Sequence, residues 1–380
     1  MNQDRSVWLR SDGRYETRIT VDGTRHSIFG NSEEEVKKKL KDKLWEIEKG
    51  NILEKNMNIG TAISNYIYKN KLGTVKPTSF DRVESTYIHH IKGFPIAKKK
   101  IASVKPEDLY QHLFNECTHG YSWSTVKKTY DLLKEFFTFA TVNRMIQYNP
   151  MVQVRMPHKS MFSFVEKDIE ILTPDEIKRV INIASVKYNS GNLKYRYGEA
   201  IVLALLTGVR SGELRAIKLS DVDFENKTLS ICRNAVYAKD RSKDNGIKHM
   251  VGTTKTNKSV RTIPLNERAI IAISNMKELT WNKNTDFLIC TQTGERVLGK
   301  RLQITLDSML RDAGIGRHLS LHNLRDTFAT TILKEAGEKG QVKEVSEMLG
   351  HSRVSTTLEY YIKTSFEDKR GLVDAFNSMV

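Results

Sequence analysis

Two Asp-Gly dipeptides near the N-terminus constrain the fold of this chain more tightly than any other sequence feature. Asp12-Gly13 and Asp22-Gly23 each separate two short segments in which polar and apolar residues alternate. An Asp-Gly pair between such segments is the strongest short-range signal for a β-hairpin, because these residues tolerate the backbone that a tight turn requires. Residues 6–30 are therefore predicted to form three antiparallel strands.

A helix is predicted to pack on this sheet, because Ser32 and Glu35 have the spacing of a capping box and apolar residues follow at helical spacing. Alternate residues of the middle strand share a face, so Arg14 and Arg18 lie together. A β-ribbon can enter the major groove of DNA. The predicted DNA contacts are Arg10, Arg14, Arg18 and Arg25. The alternative is a charged face that contacts only solvent.

Helical periodicity dominates the rest of the chain. It predicts helices near residues 58–70, 78–92, 105–117 and 123–144, followed by a proline-containing linker, and a further helix that begins at Thr173. One β interruption is predicted, with strands at "KTLSICRNAVYA" and "SVRTIPL" and a loop containing "KDNG" between them. The predicted fold class is multidomain and mainly α with small β-sheets. The predicted domains are residues 1–52, 57–157 and 170–380.

The net charge favours one class of binding partner. The chain has 61 Lys and Arg residues against 45 Asp and Glu residues, a formal charge of +16. A surplus of this size favours a polyanion, and nucleic acid first of all. A basic protein without such a partner is the alternative, and charge alone says nothing about chemistry.

Several classes of protein are disfavoured by the sequence. No apolar run approaches the ~20 residues that span a bilayer, and no secretory signal is visible at the N-terminus. Cys117, Cys232 and Cys290 stand singly, without the spacing of a zinc site. We therefore expect a cytoplasmic protein with reduced thiols, with no metal site, no cofactor and no membrane partner.

Five short motifs in the last segment carry the candidate chemistry. They are "TGVRSGELRAIKLSDV", "TTKTNKSVRTIPL", "SLHNLRDTFAT", "LGHS" and a pair of adjacent tyrosines. In the third motif, His322 and Arg325 are three residues apart, so on a helix they share a face. The residues of interest in the five motifs are Arg210, Lys255, His322, Arg325, His351, Tyr360 and Tyr361.

These residue types suit the transfer of a DNA phosphate to a tyrosine without a metal ion. Two guanidinium groups can hold a phosphate and stabilise the extra charge of a five-coordinate transition state. A tyrosine hydroxyl, with a pKa of about 10, needs a neighbouring base or cations before it attacks. A histidine can take its proton, and a lysine can protonate the departing 5′ oxygen. The products would be a 3′-phosphotyrosyl DNA and a free 5′-hydroxyl.

Each residue also has an ordinary structural explanation when it is taken singly. Arg210 could pair with Glu213, His322 could lie in the core, and Lys255 could belong to a solvated loop. His351 follows a glycine and could simply cap a helix. Only the joint occurrence favours catalysis. Glu213 and Asp326 are then predicted to orient the arginines.

The motifs together resemble those of the tyrosine recombinases, specifically the phage and transposon integrases, in the same order and along essentially the whole chain. The resemblance implies Arg210, Lys255, His322, Arg325 and His351 as the phosphate-activating set, with a tyrosine of the last motif as nucleophile. It also implies an arm-site DNA-binding domain, a helical core-site DNA-binding domain and a mixed α/β catalytic domain. The second and third domains would form a C-shaped clamp on DNA.

The resemblance leaves a choice between the two tyrosines. Family members that end in "TTLxxY" place the nucleophile ten residues after the histidine, which here is Tyr361, and others place it nine residues after, which is Tyr360. Adjacent helical residues diverge by about 100°, so only one can face the phosphate. The "TTL" register favours Tyr361, although Lys363 stands where the family often has a histidine.

The resemblance further implies the partners and the biological role. The chain would integrate and excise a mobile element in a bacterial cytoplasm, bound to the nucleoid when active. Its partners would be double-stranded DNA with core and arm sites, a homotetramer on paired sites, and an excisionase or a host DNA-bending protein. Two alternatives stay open: a type IB-like topoisomerase, which the arm-like N-terminal domain disfavours, and a non-catalytic DNA-binding protein, which the complete residue set disfavours.

Overall fold

The computed structural model of the chain describes residues 7–21, 24–48, 57–162, 170–243, 246–253, 260–280, 285–338, 341–350 and 354–355. The chain divides into two compact units, residues 1–166 and 167–380. The second unit begins close to the predicted start of the third domain. The domain boundaries 1–52, 57–157 and 170–380 themselves stay a prediction.

The first unit begins with the predicted three-stranded antiparallel sheet. Its strands are β1 (Trp8–Leu9), β2 (Tyr15–Val21) and β3 (Thr24–Gly30), in the order β1-β2-β3. Helix α1 (Glu33–Glu48) packs against β2 and β3, and its first turn is capped where Ser32 Oγ accepts the Glu35 N–H at 3.1 Å. The predicted sheet and its helix are therefore confirmed.

The remainder of the first unit is a bundle of helices around an aromatic and aliphatic core. These helices are α2 (Ile59–Tyr66), α3 (Pro77–Tyr87), α4 (Pro95–Lys98), α5 (Pro106–Thr118) and α6 (Trp123–Val142). Helices α2 and α3 each continue into a short π-helical turn, Ile67–Lys71 and Ile88–Lys92. The helical stripe of α6 accounts for the core, because Val126, Leu133, Phe136 and Phe137 are fully buried. The four helices predicted here are confirmed.

The second unit is built around α8 (Gly198–Thr207), an apolar helix that is buried on nearly all sides. Helices α7, α10, α11 and α12 pack against it. The other α-helices in the described part of this unit are α7 (Pro174–Ile183), α9 (Ser211–Leu214), α10 (Glu267–Thr280), α11 (Gly299–Asp312), α12 (Leu321–Glu338) and α13 (Val342–Leu349). The capping box predicted at Thr173 is present, since Glu176 Oε2 accepts the Thr173 N–H at 2.8 Å and Thr173 Oγ1 accepts the Glu176 N–H at 3.3 Å.

The β interruption differs from its prediction in two respects. Residues 227–238, predicted as one strand, divide at Cys232 into β5 (Thr228–Ile231) and β6 (Arg233–Asp240), which belong to different sheets. β5 lies between β4 (Val222–Asp223) and β8 (Arg261–Pro264), whereas β6 pairs with β7 (Gly246–Thr253) in a two-stranded ribbon.

Strand β7 falls in the stretch that was predicted as a loop. Most of its residues are exposed on both faces, so the alternation of buried and exposed side chains that marks a strand in sequence is missing. Cross-strand hydrogen bonds to β6 hold it instead. Within the described residues, no helix is long and apolar enough to cross a membrane.

Candidate active site

Arg325 is held at the point where two helices end. Its guanidinium is buried, with the residue only 2% exposed, and it donates from Nη1 to the Gly208 carbonyl at 2.7 Å and from Nη2 to the Leu349 carbonyl at 2.6 Å. Gly208 caps α8 in the left-handed conformation, with φ +62°, and Leu349 is the last residue of α13. A cation at the C-terminal end of a helix is stabilised by the unpaired carbonyls and by the helix dipole.

Arg210 lies at the N-terminus of α9, and its side chain is 39% exposed. Its Nη1 donates to Glu213 Oε1 at 2.8 Å, and its Nη2 donates to the Gly350 carbonyl at 2.9 Å. Arg210 and Arg325 therefore bind the carbonyls of two consecutive residues at the end of α13. The structure brings these two predicted residues together, with Arg210 as the more accessible guanidinium.

A third arginine, Arg261 on β8, belongs to the same cluster and was missed by the sequence analysis. Its Nη1 and Nη2 donate to the two oxygens of Glu213 at 3.1 and 2.8 Å, and its Nε donates to the Met348 carbonyl at 2.6 Å. Arg261 shares a strand face with the core residue Ile263. A charged residue at a core-facing strand position was the sequence signal that could have identified it.

Glu213 joins two of these arginines, as the sequence predicted for Arg210. Its side chain is 3% exposed. Burial raises the pKa of Glu213, but the hydrogen bonds and charges of Arg261 and Arg210 outweigh it and hold the pKa below its ordinary value. Glu213 is thus a carboxylate that fixes both guanidinium groups.

Helix α9, which carries Glu213, is anchored to strand β6. Gly212 permits this approach, because a Cβ atom there would lie 2.0 Å from Asn234 Oδ1. Arg215, which is buried, donates to the Ala235 carbonyl at 3.0 Å and to the Tyr237 hydroxyl at 2.5 Å. The short helix therefore has a rigid support, although it spans little more than one turn.

His322 lies one turn before Arg325 on α12, as its spacing predicts, and its side chain is 66% exposed. Its Nε2 is 3.7 Å from Asp326 Oδ1. Asp326 was predicted to orient the arginines, and the contact described here joins it to His322. His322 thus presents an exposed imidazole one helical turn from the buried Arg325.

Four predicted site residues lie outside the described residues: Lys255, His351, Tyr360 and Tyr361. Lys255 follows the last residue of β7 by two positions, and His351 directly follows Gly350, whose carbonyl binds Arg210. Among the described residues, no group of three or more His, Cys, Asp or Glu side chains could hold a metal ion.

The predicted DNA-binding arginines lie on one face of the N-terminal sheet. The register aligns Trp8, Glu16 and Phe29 across the three strands, and it pairs Arg18 with Ser27 and Thr20 with Arg25 on the same face. This is the face opposite the one that carries Thr17 and Ile19, which are buried. All four arginines are exposed.

Three of these arginines bind carboxylates. Glu16, whose side chain is 1% exposed, accepts Arg10 Nη1 at 2.7 Å and Arg18 Nε at 2.6 Å, and Asp12 Oδ2 accepts Arg14 Nη2 at 2.8 Å. Burial raises the pKa of Glu16, but hydrogen bonds from Arg18, Ser27 and Arg10 together hold the pKa below its ordinary value. The guanidinium groups of Arg10 and Arg14 lie over the Phe29 ring, and that of Arg18 lies over Trp8.

Comparison with known proteins gives a consistent result. The model of the phage integrase family matches residues 170–368, more than half of the chain. A tyrosine recombinase XerC-like protein of Caldanaerobacter subterraneus subsp. tengcongensis is 24% identical over 376 residues, which cover 93% of this chain and 92% of that protein.

Solved structures of similar fold also exist. A Tn1549 transposon integrase in complex with transposon right end DNA matches with a TM-score of 0.67 at 21% identity, over 84% of this chain and 99% of that one. A lambda integrase tetramer bound to a Holliday junction matches with a TM-score of 0.56 at 16% identity, over 93% of this chain and 94% of that one. At these identities the likeness shows a shared fold.

Proposed function

We propose which residues of this chain are catalytic and how they act. The chain belongs to the phage integrase family and is a tyrosine-type, site-specific DNA recombinase of a mobile element. The observation that supports the assignment is the arginine cluster at the end of α13, where Arg210 and Arg325 bind the carbonyls of Gly350 and Leu349. Guanidinium groups fixed before DNA arrives are suited to a transition state whose charge develops on the phosphate.

In the proposed first step, Arg210 and Arg325 bind the scissile phosphate, and His322 contributes a further hydrogen bond from its exposed imidazole. Two positioned donors lower the barrier because they need no reorganisation when the phosphorus becomes five-coordinate. Arg210 is the first contact, since its side chain is the more exposed of the two.

The proposed nucleophile is Tyr361, with Tyr360 as the alternative. Its oxygen attacks phosphorus and forms the 3′-phosphotyrosyl bond while the bond from phosphorus to the 5′ oxygen breaks. His351 accepts the tyrosine proton, and Lys255 gives a proton to the leaving 5′ oxygen. Attack of a 5′-hydroxyl on the phosphotyrosyl bond reverses each transfer and rejoins the strand, so the reaction needs no external energy source.

We propose a separate role for each of the three predicted domains. Residues 1–52 bind arm sites through the basic face of the sheet, residues 57–157 bind core sites, and residues 170–380 carry out the chemistry. We also propose that the active species on paired sites is a homotetramer, because a lambda integrase of similar fold is a tetramer on a Holliday junction.

Covalent trapping tests this mechanism. The wild-type chain is mixed with nicked duplexes that carry the junctions of its own mobile element, in EDTA, and an adduct that survives SDS is sought. We expect an adduct with wild type and with Tyr360→Phe, and none with Tyr361→Phe. Loss of the adduct only in Tyr360→Phe would identify Tyr360 as the nucleophile. An absence of adduct with every variant and with wild type, despite tight DNA binding, would refute the proposed chemistry.

A further inference from the structure

We infer that Arg261 is a positioning residue of this recombinase, which holds Arg210 and the end of helix α13 in a fixed relation through Glu213 and the Met348 carbonyl. The inference rests on the proposed function, because it assigns Arg261 a role through the residues proposed to bind the phosphate. Arg261 itself does not contact DNA in this view.

The bonding of Arg261 argues for positioning over direct contact. Its side chain is 6% exposed, and its guanidinium donates two hydrogen bonds to Glu213 and one to the Met348 carbonyl. Its two terminal nitrogens bind the carboxylate of Glu213, and its Nε binds the carbonyl of Met348 at the end of α13. Because Nη1 and Nη2 both bind the carboxylate of Glu213, we assign Arg261 the role of orienting its neighbours and leave the phosphate to Arg210 and Arg325.

Arg261 links two elements of the site, helix α9 through Glu213 and the end of α13 through Met348. Through Glu213 it acts on Arg210. Through Met348 it acts on the last turn of α13. The next two carbonyls along the chain, those of Leu349 and Gly350, bind Arg325 and Arg210. Its guanidinium also packs beside Gly350, where a Cβ atom would lie 3.1 Å from Arg261 Nη1. Along the chain, β8 follows the segment that contains Lys255. One side chain thus connects the surroundings of both arginines.

Loss of Arg261 would leave Glu213 buried with Arg210 as its remaining arginine. A buried carboxylate that loses a charged partner is costly, and it would draw the Arg210 guanidinium toward itself and away from a phosphate. A lysine cannot replace the arginine, because a single ammonium group cannot bind both carboxylate oxygens and a carbonyl in the same planar arrangement. A displacement of 1 Å can cost a reaction about 10²-fold.

The test compares Arg261→Lys and Arg261→Gln with wild type and with a matched control. Arg268 offers the control, since its Nη1 binds the buried carboxylate of Glu199 at 2.8 Å within the same unit, away from the arginine cluster. Single-turnover formation of the covalent adduct and DNA affinity by fluorescence anisotropy are measured for each variant, with circular dichroism as a check of folding.

We expect both Arg261 variants to form adduct about 10²-fold more slowly than wild type, with DNA affinity changed less than about threefold. Arg268→Lys should retain the wild-type rate. Added ethylguanidinium should restore part of the rate to Arg261→Ala, because it can occupy the vacated site.

Three results would overturn the inference: wild-type rates in the Arg261 variants, an equal loss in Arg268→Lys, or a loss of rate explained wholly by weaker DNA binding. An inactive wild-type chain would instead count against the proposed function, so the two failures are distinguishable.

Discussion

Arginine side chains are held in two different ways in the two units of this chain. In the N-terminal sheet, the partners of Arg10, Arg14 and Arg18 are the carboxylates of Glu16 and Asp12, and the arginine side chains are 38%, 55% and 43% exposed. In the second unit, Arg210 and Arg261 share the buried carboxylate of Glu213, and main-chain carbonyls at helix ends also accept bonds from Arg210, Arg261 and Arg325.

The difference in partner implies a difference in function. The ion pair of Arg14 with Asp12 is exposed at both residues, so it contributes little stability and is screened by salt, and a phosphate can displace Asp12 from it. A carbonyl at a helix end cannot leave without loss of helical structure, so it fixes the direction of the guanidinium. The same residue type therefore supplies exchangeable charge at Arg14 in the first unit and fixed geometry in the second.

Replacement of Arg325 by lysine should produce the largest effect. A lysine cannot reach the Gly208 and Leu349 carbonyls together, so the charge remains but its orientation is lost. We expect adduct formation to fall by about 10²–10³-fold, the loss seen when one preorganised donor is removed. Single-turnover cleavage of a nicked duplex measures the rate, and anisotropy measures binding.

DNA affinity should change only a few-fold in Arg325→Lys. A matching loss of affinity would show that Arg325 acts as a simple phosphate contact, and it would remove the distinction between the two units. Arg268→Lys again serves as the control for a general loss of stability.

Local signals in the sequence were sufficient for much of this architecture. The Asp-Gly turns, the capping boxes at Ser32 and Thr173, and the helical stripe of α6 each depend on residues a few positions apart. The pairing of Arg210 with Glu213 is of the same kind, since these residues are three positions apart. Interactions at such short range leave a pattern that can be identified without the fold.

Long-range contacts left no such pattern. Arg261 meets Glu213 across 48 residues and Met348 across 87, and Arg325 meets Gly208 across 117. Strand β7 was missed for a related reason, because its partner supplies hydrogen bonds while no buried face marks its sequence. Arg210 and Arg325 could be chosen by their motifs, but the carbonyls that hold them depend on how the helices end.

The comparison between the two units can be tested further by the replacement of one glycine by alanine in each unit. Gly208 has φ +62°, and a Cβ atom there would lie 2.4 Å from Phe328 Cδ1, whereas Gly13 has φ +79° with nothing within 4 Å of its Cβ position. The left-handed backbone costs either alanine about 1–2 kcal/mol. Gly208→Ala should cost about 1–3 kcal/mol more, because the ring must move.

Hydrogen exchange of the peptides that cover the last turn of α8 and the first turn of the sheet measures these costs locally. Gly208→Ala should also slow adduct formation, because the shifted carbonyl is one of the two that hold Arg325. Equal destabilisation by the two variants would show that the end of α8 is no more tightly packed than the exposed turn.

The smallest effect is expected from Arg14→Gln in the N-terminal sheet. Each phosphate contact contributes about 0.9 to the slope of log affinity against log salt concentration, so the slope should fall by at most that amount on DNA with arm sites. Affinity should weaken only a few-fold, since Asp12 already neutralises part of the charge, and cleavage of a duplex with core sites alone should be unchanged.

Lys37→Gln is the control, because Lys37 pairs with Glu33 on α1, which covers the opposite face. An unchanged slope in Arg14→Gln would remove Arg14 from the arm-site surface, and slowed core-site cleavage would mean that the exposed arginines also contribute to the geometry of the active site.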